Sequence, residues 1–128
     1  MSSDKHHREL IDGLAEQLKQ IFDSSEQAVY LYLDDVHKAC NKKFASLLNY
    51  SSPAEWASVK ESFELFVSKK SQPVLISAYH YATEKMAAST VDVAWRKKEG
   101  RTVETSVTVV PISYHGHMLA LHFISEKK

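Results

Sequence analysis

From Ser89 onward the chain alternates apolar and polar residues with a period of two. Val91, Val93 and Trp95 stand against Thr90, Asp92, Ala94 and Arg96, and Val103, Thr105, Val107 and Val109 again share one face. That period belongs to half-buried strands, so this stretch must enter a sheet. Its turns are legible too, because Lys98-Glu99-Gly100-Arg101 and His115-Gly116 each supply a glycine for positive φ. The last segment, His117 to Ser125, is nearly continuous in apolar residues through Met118, Leu119, Ala120, Leu121, Phe123 and Ile124. Such a run suits a central strand covered on both faces.

A second two-faced segment, Ala28-Val29-Tyr30-Leu31-Tyr32-Leu33, lies upstream. Asp34-Asp35 supplies a turn after it, and Val36 to Cys40 reads as the returning strand of a hairpin. The middle of the chain is helical. Asn41 can cap a helix whose face is Phe44, Ala45, Leu47 and Leu48, with Asn49 suited to its left-handed end. Ser52-Pro53-Ala54-Glu55 is a capping box for the next. Val59, Phe63, Phe66 and Val67 mark a short helix. Ser71 to Lys85 is a longer one, expected to turn Val74, Leu75, Ala78, Tyr79, Ala82 and Met86 inward.

At the other end, Arg8 to Phe22 carries an apolar stripe with helical spacing. Its residues include Leu10, Ile11, Leu14, Leu18, Ile21 and Phe22, of which Ile11, Leu14, Leu18 and Ile21 fit the seam of a coiled coil, though two heptads fall short of the usual three or four. The seam can pack on this domain or join a second copy as a homodimer. The order is helix, two strands, several helices, three strands. An α+β fold follows: a five-stranded antiparallel sheet with helices on one face, and an N-terminal amphipathic helix that covers the other face or projects outward. Residues 1–27 form that helix and its linker, and 28–128 the domain proper.

Charge narrows the partners. Sixteen basic residues balance sixteen acidic ones in 128, so no global field draws in nucleic acid or an anionic membrane. The basic runs Lys42-Lys43, Lys69-Lys70 and Arg96-Lys97-Lys98 read as solvated edges. No signal-peptide pattern opens the chain, and no window of about 20 apolar residues could span a membrane. The expected location is the cytoplasm. The single cysteine, Cys40, excludes an internal disulfide and reads as a small buried apolar residue.

Asn41-x-x-Phe44-x-x-Leu47-Leu48-Asn49-Tyr50 resembles the run that follows the first hairpin in PAS domains, and Trp95-Arg96-Lys97-Lys98-Glu99-Gly100 resembles their third strand and its turn. The resemblance spans about Ala28 to Ser125. Asn49 stands where the family usually has Gly, and Glu99 where it usually has Asp. The resemblance implies a sensory or protein-interaction module of signal transduction. Members bind heme, flavins or small metabolites in a cavity between sheet and helices, or bind nothing and mediate dimerisation.

Several residues can be weighed against that range. Tyr30, Tyr32, Phe66, Tyr79, His80, Trp95 and His122 are the candidate cavity lining, although aromatic residues at such spacings are more often plain core. The cysteine run of the blue-light flavin subgroup has no counterpart. His80 lies on the helix that carries the axial ligand in heme-bound members, but the matching position falls nearer Pro73-Val74, so neither flavin nor heme is expected and the ligand stays open. His115-x-His117 lacks a third metal ligand and is expected to face solvent. His122 points away from Leu121 and Phe123; it is expected to pack under the N-terminal helix, with a polar place in a cavity as the alternative.

No phosphate loop, nucleophile elbow or paired acid/base spacing occurs, and an enzyme is not expected. The rival reading is a cavity enzyme shaped like ketosteroid isomerases, which needs Asp92 buried. A scaffold adaptor without ligand is the third. The last strand ends close to Lys128, so output is expected through another protein, or the chain is a piece of a longer one.

Overall fold

A computed structural model describes residues 2–127. Two helices, α1 (Ser2–Gln17) and α2 (Lys19–Ser24), precede the hairpin of β1 (Ala28–Asp34) and β2 (His37–Cys40). Four helices follow: α3 (Lys42–Leu47), α4 (Pro53–Ala57), α5 (Ser62–Phe66) and α6 (Gln72–Lys85). Strands β3 (Ser89–Arg96), β4 (Thr102–Tyr114) and β5 (His117–Glu126) complete one antiparallel sheet in the order β2-β1-β5-β4-β3. The architecture is the expected α+β one. The two segments that are apolar on both faces, β1 and β5, are neighbours at the centre, where Tyr30 pairs with His122 and Leu31 with Leu121.

Each face of the sheet has its own core. Tyr30, Val93, Trp95, Val107, Val109, Ala120 and Ile124 pack under α3 to α6, together with Phe44, Leu48, Trp56 and Leu75. On the reverse face Val29, Leu31, Leu119 and Leu121 meet Ile11 and Leu14 of α1. The apolar seam of the N-terminal segment therefore covers this chain's own sheet. Leu10, Ile11 and Leu14 are fully buried, Leu18 and Phe22 pack at the margin, and Ile21 is exposed. Gly13 permits the close approach, since a Cβ there would lie 2.7 Å from the Tyr114 hydroxyl oxygen.

Several local details depart from expectation. The helix expected over Arg8 to Phe22 begins earlier and is interrupted at Leu18 (φ −94°, ψ 8°). That bend delivers the Phe22 carbonyl to the Asn41 amide, 3.2 Å away. Val74 and Met86 are exposed because α6 turns the stripe Leu75, Ala78 and Ala82 inward; Met86 instead ends the helix in the left-handed region (φ 57°). In the capping box of α4, Ser52 Oγ accepts from Glu55 N at 3.1 Å as the pattern requires. The Glu55 carboxylate returns to Ser51 N instead, at 2.7 Å, and is held there by Lys98. Pro111 sits within β4 beyond the end of its pairing with β3, where no ladder bond is lost on that side.

Asn41 joins these parts. Its Oδ1 accepts from Val29 N and Phe44 N, both at 3.0 Å, and its Nδ2 donates to Phe22 O at 3.2 Å and Gln27 O at 3.1 Å. The side chain is buried with all four bonds made. Replacing it strands buried backbone donors and acceptors, so Asn41→Ala is expected to lower stability by about 3 kcal/mol. Asn41→Asp is expected to destabilise as well, because a carboxylate cannot donate to the two carbonyls. Urea denaturation of the three proteins checks both.

Candidate functional site

The two central strands present aromatic rings to the helical side because their inward residues alternate with those that meet α1, and β3 adds Trp95 from its buried face. Tyr30 and Tyr32 come from β1, His122 from β5 and Trp95 from β3. Opposite them stand Trp56 of α4, Phe63 and Phe66 of α5, and Leu75, Ile76, Tyr79 and His80 of α6. Between the layers is a cavity of about 310 Å³, with Asp35 and Glu64 also on its wall. This volume lies at the low end of ligand pockets, which run from roughly 300 to 1,000 Å³.

All seven residues read from the sequence as candidate lining border this cavity: Tyr30, Tyr32, Phe66, Tyr79, His80, Trp95 and His122. They do so in different ways. Tyr30 stacks on His122 with ring centroids 3.9 Å apart and planes 9° from parallel. Trp95 is pinned by donating from Nε1 to Thr105 Oγ1 at 2.8 Å, and Thr105 Oγ1 donates on to the Val93 carbonyl. The Tyr32 hydroxyl donates to Asp35 Oδ1 at 2.6 Å, and the Tyr79 hydroxyl to Leu33 O at 3.3 Å. His80 is at the rim, more than half exposed, with Nδ1 3.0 Å from Glu84.

His122 does not pack under α1, as expected from its neighbours. The pairing of Tyr30 with His122 puts both on the helical face of the sheet, and Leu121 and Phe123 take the α1 side. It is 1% exposed. Burial pushes its pKa down to about 3, against hydrogen bonds to the backbone of Tyr30 and Ala120 that favour the charged form. The ring is neutral near pH 7. Among the described residues its Nδ1 has no hydrogen-bond partner, and neither has Nε1 of Trp56, which lines the cavity from the helical layer. Buried polar atoms are nearly always paired, so two such atoms around one cavity mark a place where a polar group could be received.

Trp56, Phe63, Asp35 and the adjoining Lys38 were not picked out by sequence reasoning. Lys38 is buried, and its ammonium donates to the carbonyls of Asp35, Ala57 (3.2 Å) and Val59 (2.6 Å), 5.1 Å from the Trp56 ring centroid. Burial lowers its pKa to about 8, opposed by Asp35 and Asp34. A signal existed: two residues before Cys40 on a strand, Lys38 shares the face of that buried cysteine. Cys40 is buried as expected, which raises its thiol pKa to about 12. Asp92, required buried by the isomerase-like reading, is exposed and pairs with Lys127 at 2.8 Å.

No protein-family model matches the chain, and no curated protein matches it in sequence. Solved structures do match its fold. The PAS domain of a protein from Colwellia psychrerythraea superposes with a TM-score of 0.67 at 19% identity, covering 89% of this chain and 97% of that one. The PAS domain of an HTR-like protein from Haloarcula marismortui gives 0.64 at 14% identity, over 96% and 99% of the two chains. This chain has the PAS fold. A third PAS domain, in complex with ethanol, from a LuxR-family transcriptional regulator of Burkholderia thailandensis, gives 0.64 at 15% identity, over 84% and 95%. The departures from the usual PAS motif fit the fold. Asn49 adopts φ 65°, and Glu99 accepts from Asn49 Nδ2 at 2.6 Å beside Gly100 (φ 106°).

The depressed pKa of His122 has a sign. Between about pH 3 and its unfolded value near 6.5 the unfolded chain binds the extra proton, so the residue makes stability fall as pH drops through that window. The contribution is of the order of several kcal/mol by pH 3. His122→Phe keeps a ring against Tyr30 and removes the titration. Its loss of stability from pH 7 to pH 4, read from urea midpoints, is expected to be smaller than that of the parent.

Proposed function

We propose that this PAS domain is a sensory module whose cavity holds a small, neutral, largely apolar molecule carrying one polar group. The observation that carries this reading is a pair of buried atoms without a hydrogen-bond partner among the described residues, Trp56 Nε1 and His122 Nδ1, in residues that line the cavity from its two opposite layers. Trp56 can donate to the polar group, and neutral His122 can accept from or donate to it according to tautomer. The nearby charges are already engaged: Lys38 with three carbonyls, and Asp35 with Tyr32 and Phe63 N. Neither of these two is left to pair with an ionic ligand. The ethanol in the similar Burkholderia thailandensis domain is a molecule of the same chemical kind in that protein.

The signal would leave through the sheet. Tyr30 and His122 touch the cavity, and their neighbours Val29, Leu31, Leu121 and Phe123 on the same two strands touch the α1 side. A ligand that shifts the stacked pair therefore shifts the surface on which α1 rests. Release of α1 would bare Leu10, Ile11 and Leu14 and, with the already exposed Ile21, offer them to a second copy or a signalling partner.

Phenol, a neutral ring with one hydroxyl, is a suitable probe for titration followed by 1H–15N NMR. The expected result is saturable shifts at the Trp56 and Trp95 indoles and at His122, weakened roughly three- to tenfold in Trp56→Phe, which loses the donor. Shifts scattered over the surface, or none, would sink the ligand reading and leave the adaptor without ligand.

A further inference from the structure

Away from the cavity, four imidazoles gather at the end of the sheet where the β1–β2 and β4–β5 hairpins turn. His6 and His7 come from α1, His37 from the start of β2 and His117 from the start of β5. His6 Nε2 and His117 Nε2 are 3.0 Å apart, and the ring of His7 lies 5.4 Å from that of His37 and 6.2 Å from that of His117. Asp34, the last residue of β1, stands among them. Its Oδ1 is 2.8 Å and its Oδ2 3.1 Å from His37 Nδ1, and Oδ2 is 4.0 Å from His7 Nδ1.

We propose that His7, Asp34 and His37 bind a divalent transition-metal ion, zinc by ligand type, that fastens α1 to the β1–β2 hairpin. One ligand atom from each lies within 4.8 Å of the other two. Tetrahedral zinc with bonds of about 2.0–2.2 Å holds its ligand atoms about 3.3 Å apart, so the gathering must contract by an ångström or so. Imidazole nitrogen with a single carboxylate is a zinc-type donor set. The carboxylate is already oriented, since Asp34 Oδ1 accepts from Val36 N at 3.0 Å and His37 N at 2.9 Å, which turns Oδ2 to the ion. A water molecule takes the fourth position.

The ion would act on the element through which a cavity signal would leave. His7 rides on α1, while Asp34 and His37 belong to the hairpin beneath it, so binding opposes release of the helix. The site needs no molecule in the cavity and stands apart from the ligand reading.

The test is calorimetric titration of the chelator-treated full chain with zinc ions, alongside thermal melts. One zinc per chain is expected, with a rise in melting temperature that grows with zinc concentration. His7→Ala, on a half-buried helical position, is expected to keep the fold and weaken binding at least tenfold, and His37→Gln to do the same. The absence of saturable one-to-one uptake, or uptake of unchanged affinity in folded His7→Ala, overturns the proposal.

Discussion

The carboxamide of Asn41 is the joint on which the two layers of this protein depend. It holds the end of α2 through Phe22, the entry to β1 through Gln27 and Val29, and the first turn of α3 through Phe44. Those segments lie on opposite sides of the sheet. Because a carboxamide has both acceptor and donor atoms in one plane, a single residue satisfies two backbone donors and two backbone acceptors at once. The helical layer that roofs the cavity and the helix that covers the reverse face are thereby set relative to the same strand.

From that arrangement comes a sheet with different chemistry on its two sides. The helical side is aromatic and leaves a cavity bounded by Trp56, Tyr30, Trp95 and His122. The reverse side is aliphatic at its buried centre and closed by α1, with Ile11 and Leu14 seated on Leu31, Leu119 and Leu121. Only one layer of strands separates the two. In the proposed reading, a change in packing at the cavity reaches α1 through the shared strands β1 and β5. The histidine cluster at the hairpin end bears on the same coupling, since it gathers residues of α1 and of both hairpins.

Much of the fold was legible because it rests on local chemistry. The period-two segments became β3 and β4 and the continuous apolar run became β5, Asn41 and Ser52 cap helices through the predicted atoms, and Asn49 and Gly100 take the positive φ their turns demand. The cavity lining was legible in part, since large rings on inward positions of strands and helices have few places to go. What failed was the choice of face. Parity along β5 placed His122 opposite Leu121, but only the pairing with Tyr30 decides which face belongs to the helices. The seam of the N-terminal helix was equally ambiguous, because an apolar stripe reads the same whether it covers its own sheet or a second chain.

The sequence by itself determined where strands, helices and turns lie and which residues within each share a face, because propensity, periodicity and capping act over a few residues. Tertiary structure alone decided what those faces meet. Lys38 is tolerated in the interior only because the carbonyls of Ala57 and Val59, about twenty positions along the chain, arrive over its ammonium together with that of Asp35. His6 and His117 are 111 residues apart and touch only once α1 is laid across the sheet. The unpartnered nitrogens of Trp56 and His122 become a feature only where two layers leave a space between them. Such contacts depend on closing long loops around a common core, and no short-range pattern in a chain records which distant residues that closure brings together.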